Sequence, residues 1–312
     1  MIIQNVDKYR VCEPLFEGVR IVLTHMGETF SPDYIQGISG AAFKIAGGCP
    51  SRPTCLYTMW TSDFIRSLGY EALEYPCVDE NGMDVSDAMI EAVKHQIDLG
   101  NPALVWSAFT NLEWDVVCGY DNDQKQFIGR GSYISADEYA REAWNRAALA
   151  EFPFGAILIG DKKHAFDQKK AEIESLREAV RHARTVNDPN AYLEGVQFYE
   201  KWAADYAHEG RERDTADAYC YQVYSSARKA AVGYLREIAP RYNKAGDDLI
   251  KASGWFERES EQLDLAYPYI SWISPWGVDE ERSKKLAPIL REAADCYEKG
   301  ILCLEKALER IT

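Results

Sequence analysis

Cysteine, histidine and carboxylate side chains are the ones through which this chain could do chemistry, and their spacing narrows what that chemistry is. The eight cysteines, Cys12, Cys49, Cys55, Cys77, Cys118, Cys220, Cys296 and Cys303, are scattered over 312 residues without a repeated short interval. That distribution suits reduced thiols better than a disulfide framework. Cys49 and Cys55 in "GGCPSRPTC" offer two zinc thiolates, but tetrahedral zinc needs four nitrogen or sulfur ligands and no second pair follows nearby. A Pro/Gly turn carrying two unrelated thiols is the simpler reading. There are five histidines, His25, His95, His164, His182 and His208. The stretch Glu113 to Asp121, "EWDVVCGYD", sets Glu113 and Asp115 at the head of an apolar run and contains no histidine.

These residues need a scaffold, and the composition supplies one. With 46% hydrophobic and 27% charged residues the chain can bury a sizeable core, and its length predicts two domains. A net charge of -15 sets a repulsive field before phosphate backbones and argues against nucleic acid as a partner. The amino terminus "MIIQNVDKYRVCEPLF" has no basic region followed by an apolar one. No run approaches the roughly 20 apolar residues of a membrane span. The expectation is a cytoplasmic protein.

The first half, residues 1–160, reads as α+β. Leu15, Phe16, Val19, Val22 and Leu23 recur at helical spacing and Gly27 follows as a C-cap. "VSDAMIEAVKHQIDLG" repeats that signature between Ser86 and Gly100. "PALVWSAF", "WDVVCGYD", "QFIGRGSY" and "FGAILIG" read as strands, with "DNDQ" a hairpin turn. From 161 to 312 glycine and proline thin out. Helices are predicted at about 165–185, 190–208, 213–238, 242–265 and 279–310, with Pro288 expected to kink or split the last. Heptads are not sustained, so a bundle is favoured over a coiled coil. Tyr192, Tyr199, Trp202, Tyr206, Tyr219, Tyr224 and Tyr234 fall at helical spacing, as core aromatics do, although an aromatic pocket is open to them.

Cys12 at the start of the first helix, "GETFSPDYIQGISGAAFKI" and "NPALVWSAFTNLEWDVVCGYDNDQKQFIGRGSY" together resemble the amino-terminal domain of butirosin-biosynthesis protein H and its relatives. Those in turn look like the bacteriocin-processing branch of papain-like cysteine peptidases. The resemblance implies a papain-like α+β domain over roughly residues 8–160, followed by a helical bundle. It implies acyl or amide transfer, or peptidase-like amide hydrolysis, through a thioester on Cys12, with no cofactor, a small amine-bearing substrate and, for transfer, an acyl carrier protein as donor. Helix N–H groups would stabilise the thiolate. "GISGAAF" would then be a glycine-rich turn beside the cleft, where Gly37 and Gly40 let the backbone approach a ligand, or else a purely structural turn.

The sequence departs from that pattern at its base. The family's imidazole opens the strand ending in "GYD", which here puts Glu113 in its place, or Asp115 if the register slips by two. Arg130 stands where the orienting acid belongs, and an ion pair with Glu113 is expected. A carboxylate beside a thiol raises the thiol's pKa. Glu113 could act as base if desolvated, but an arginine partner would oppose that. His25 lies about 20 Å from Cys12 along the helix at 1.5 Å per residue, which leaves His164 as the one histidine not dismissed. Gln4 or Asn111 would supply an oxyanion donor, and Trp114, Asp115 and Arg130 would line the ligand. Two readings follow: transfer through Cys12, or a catalytically inactive binding module whose ligand is covered by aromatics of "YPYISWISPWG". Homodimerisation through the helical half is a third expectation.

Overall fold

A computed structural model describes residues 1–10, 14–47, 61–132, 138–186, 193–208, 212–213 and 215–311. In chain order the elements are α1 (Pro14–His25), α2 (Pro32–Ile38), β1 (Ala46–Gly47), α3 (Thr61–Ser67), β2 (Tyr70–Tyr75), α4 (Ser86–Asp98), β3 (Ala103–Trp106) and β4 (Trp114–Asp121). Then follow β5 (Gln126–Arg130), β6 (Ala140–Ala143), β7 (Ala156–Lys162), α5 (Gln168–Ala183), β8 (Leu193–Glu194), α6 (Gly195–Ala207) and β9 (Glu212–Arg213). The chain continues through α7 (Thr215–Ile238), α8 (Asn243–Ile270), β10 (Gly277–Val278) and α9 (Glu280–Ile311). This is a mixed α+β protein, as expected. Its described residues fall into two units, one of 1–32 and 61–167, the other of 33–47 and 168–311. No helix among the described residues is long and apolar enough to cross a membrane.

The first unit is built on a six-stranded antiparallel sheet of order β2-β7-β3-β4-β5-β6. β3 and the first six residues of β4 are buried throughout, so these central strands read as continuous apolar runs rather than as alternations. The sequence foresaw the central strands but not the two edges. "YEALEY" of β2 and "AREA" of β6 carry charge and little β-branching, as edge strands do. α1 packs on β4 and β3 and ends in a Schellman arrangement, with Glu28 N–H donating to Leu23 O at 2.9 Å, Gly27 N–H to Thr24 O at 3.1 Å, and Gly27 at φ 96°.

β4 carries a bulge at Cys118, where the register with β5 slips between Val117 and Gly119. The freed Cys118 carbonyl accepts Ile3 N–H at 2.8 Å, and Tyr120 N–H donates to Met1 O at 2.9 Å. The first three residues therefore cover β4 beyond the start of β3. A side chain on Gly119 would put its Cβ 2.7 Å from Met1 O.

In the second unit the predicted helices are all present. Pro288 is exposed and does not split α9, which runs unbroken from Glu280 to Ile311. α8 runs on past the predicted end through Pro268 to Ile270, and Ser274 Oγ donates to the Pro268 carbonyl at 2.9 Å. Tyr199, Trp202, Tyr206, Tyr224 and Tyr234 are core, whereas Tyr192 lies outside the described residues.

The core of this unit also contains a segment that belongs to none of its α-helices and comes from the other half of the sequence. Residues 41–46 are all buried, and a buried backbone must find partners for its polar groups. Arg228 Nη1 donates to Ala42 O at 2.8 Å and Nη2 to Lys44 O at 3.5 Å, and Tyr297 OH donates to Phe43 O at 3.1 Å. His182 Nε2 lies 2.9 Å from Ile45 O, and Tyr224 OH donates to Ala46 O. Arg228 is balanced by Glu259 at 2.7 Å, which also accepts Tyr199 OH at 2.7 Å.

Candidate functional site

The head of β4 is where the sequence places its chemistry, and three pieces of chain converge there. Trp106 at the end of β3 pairs with Trp114, and its N–H donates to Gly155 O just ahead of β7 at 2.9 Å. Tyr9 OH donates to Trp114 O at 2.8 Å, which brings the chain entering α1 to the same end of the sheet. Arg130, opposite Val116, donates through Nε and Nη2 to Val6 O at 3.3 and 3.1 Å and through Nη1 to Glu138 O at 3.2 Å. Its guanidinium lies 4.0 Å from the centre of the Tyr139 ring. Arg130 thus ties the amino-terminal segment to the β5–β6 edge.

Glu113 and Asp115 are both buried. Asp115 Oδ2 accepts Phe109 N–H and Thr110 N–H, each at 2.7 Å, and Oδ1 accepts Ser132 N–H at 3.2 Å. Burial pushes its carboxyl up to about 7 against the pull of those N–H groups. The loop it gathers, 107–113, is closed by Ser107 N–H to Glu113 O at 2.7 Å and Leu112 N–H to Ser107 Oγ at 2.8 Å. Ser107 and Leu112 are left-handed, at φ 52° and 56°. That conformation costs an L-residue about 1–2 kcal/mol, and strain of this kind gathers at functional sites. Asn111 is exposed at the tip of the loop.

Cys12 lies outside the described residues, as do Cys49 and Cys55. The flanking chain is held by a buried group that the sequence reading missed. Arg20 donates to Glu17 Oε1 at 2.7 Å, Asp7 Oδ2 at 2.8 Å and Lys8 O at 3.2 Å, and Arg10 N–H donates to Glu17 Oε1 at 3.1 Å. Burial raises the Glu17 pKa although Arg20 opposes it. For Asp7 burial acts upward too, but hydrogen bonds from Lys8 N–H, Arg20 and Arg10 outweigh it and hold the carboxyl down. The signal was there: opposite charges three residues apart inside the apolar run "LFEGVRIVL".

The three histidines of the first unit are distant from this end of the sheet. His25 Nε2 lies 2.9 Å from Gly100 O, ahead of β3. His95 is exposed on α4 next to Lys94, whose ammonium lies 5.4 Å from the Tyr120 ring at the far end of β4. His164 follows β7 and stands against Gly69, on the far side of a strand that spans roughly 20 Å at ~3.3 Å per residue. His182 and His208 belong to the second unit. There burial pushes the His182 ring down to about 3. Burial pushes the thiols of Cys77, Cys118 and Cys296 up to about 11, 12 and 11, and raises Cys303, so none of these four is a poised nucleophile.

Gly37 and Gly40 belong to the second unit, where a Cβ on Gly37 would sit inside the Tyr234 ring and Gly40, at φ 82°, precedes the 3-10 turn Ala41–Phe43. Gln4 is exposed beside the Cys118 bulge. Trp272 and Trp276 of "YPYISWISPWG" are also in the second unit, with Trp272 Nε1 donating to Gln222 Oε1 at 2.5 Å and Arg213 stacked 4.0 Å from the Trp276 ring. Neither a scan against protein-family models nor a search of curated proteins finds a match to this chain.

Proposed function

We propose that the amino-terminal unit is a papain-like domain that binds a small amine-bearing ligand at the head of β4 and has given up thiolate–imidazole catalysis. The observation that carries this reading is the division of the sheet. His25, His95 and His164 stand at one end, while the buried carboxyls of Glu113 and Asp115 stand at the other. Carboxylates at that position favour an ammonium ion and disfavour a thiolate. Trp114 and Asn111 complete the surroundings of the ligand. The test is the rate of Cys12 alkylation by iodoacetamide against pH, followed peptide by peptide in a mass spectrometer. The expected apparent pKa is near the ordinary value of roughly 8.5. A value well below it would sink the reading.

One observation favours a second reading, acyl or amide transfer through Cys12 from a carrier-bound donor, as the family resemblance implies. Tyr9, three residues before Cys12, is bonded to Trp114 at the strand head. In that case Glu113 serves as base, and Cys12→Ala abolishes turnover.

A further inference from the structure

We propose that the cleft between the end of α6 and the first three turns of α9 binds a small organic carboxylate with an apolar body and a hydroxyl group at its far end. The site lies wholly within the second unit and is independent of the strand-head reading.

The two helices run antiparallel. The Tyr199 ring of α6 lies 5.7 Å from the Tyr297 ring of α9, while the end of α6 lines the cleft together with the start of α9. The cleft encloses about 290 Å³, at the lower bound of the roughly 300–1,000 Å³ of small-molecule pockets. Its walls are apolar where Tyr206 and Ala207 of α6 meet Ala287 and Pro288 of α9. Polar groups stand towards its two ends. Arg291 is exposed and makes no ion pair or hydrogen bond among the described residues, and its planar guanidinium matches a carboxylate. Ser283, towards the other end, is only 7% exposed, and its hydroxyl has no hydrogen-bond partner among the described residues. A hydroxyl left so costs free energy that a ligand group can restore. Ser283 precedes Arg291 by eight residues, about 12 Å of helix at 1.5 Å per residue, and helical side chains lean towards the N-terminus. The remaining gap suits a small molecule rather than a single ion. The Ser283 end also carries acceptors. Glu280 lines it and repels a second anionic group. His208 Nδ1–H donates to Ala204 O at 2.7 Å, which leaves Nε2 of the neutral ring an acceptor for a ligand hydroxyl. Lys284 also lines the cleft, and its charge is shared with Glu281 at 3.0 Å.

The probes are para-hydroxybenzoate and benzoate, titrated into the full chain and followed by saturation-transfer NMR. The hydroxylated acid is expected to bind the more tightly of the two. Arg291→Gln, at an exposed position, is expected to weaken both by about tenfold or more. Ser283→Ala is expected to weaken para-hydroxybenzoate by about threefold and to leave benzoate unchanged, which a charge-only site would not do. Ala287→Leu fills the cleft and is expected to abolish binding of both acids; should that variant not fold, the other two decide. Binding that survives Arg291→Gln overturns the proposal, as does a preference for the hydroxylated acid that Ser283→Ala leaves intact. Inorganic phosphate competing as well as para-hydroxybenzoate overturns it too, because the apolar walls would then play no part. Failure of the native chain to bind either acid likewise overturns it, and spares the reading of the strand head.

Discussion

Asp115 holds its proton more tightly in the folded chain than in the unfolded one, because burial pushes its carboxyl from 3.8 up to about 7. The folded state therefore carries more proton than the unfolded state between those values, and stability through this group falls as pH rises across that window. Asp115→Asn is expected to flatten that part of the profile, read as urea midpoints at a series of pH values. His182 works with the opposite sign. Burial lowers its ring from 6.5 to about 3, so its contribution is intact above 6.5 and is lost as pH falls towards 3. His182→Gln should reduce the loss of stability in acid, by the same measurement. If the acid limbs of native and variant coincide, the ring is not neutral in the fold.

Two close approaches decide how elements meet, and each can be tested with a methyl group. On Gly119 that methyl would press on Met1 O at 2.7 Å and Ile2 Cα at 3.1 Å. The first residues of the chain can yield, so Gly119→Ala should cost about 1–3 kcal/mol and expose the Ile3 amide to exchange. On Gly37 the methyl meets the ring of Tyr234, which is fully buried and cannot move aside. Gly37→Ala should cost more than Gly119→Ala by chemical denaturation, and Tyr234→Leu in the same chain should recover part of the loss. These positions also mark how far the sequence could be read. Helical periodicity located α5 to α9, and β-branched runs located β3, β4, β5 and β7, because those signals are local. Nothing local in "GISGAAFKI" says that it packs among helices from 168 onward, and a glycine beside an aromatic ring looks the same in sequence as a glycine beside a ligand. Two buried carboxylates two residues apart are likewise alike until the backbone N–H groups around Asp115 are seen.

For the whole molecule, the pair Arg228–Glu259 decides whether the helices close around residues 41–46. Both side chains are completely buried, and breaking such a pair costs about 3–5 kcal/mol because a charge is left alone. Arg228→Met should cost that much in urea unfolding. Replacing both partners by Met often recovers stability elsewhere, but here the Ala42 and Lys44 carbonyls would still lack donors, so the double variant is expected to stay well below native. Full recovery would show that these carbonyls do not need the guanidinium. The same arrangement sets a timetable for synthesis. The bond from Tyr297 to Phe43 spans 254 residues, and a ribosome adding roughly 5–20 residues per second takes about 13–50 s to cover that distance. For most of that interval Phe43 and Ile45 have left the ribosome while the phenol that caps the Phe43 carbonyl has not yet been translated. A nascent chain of this protein should therefore hold ribosome-associated chaperones longer than its size suggests, and release them as α9 emerges.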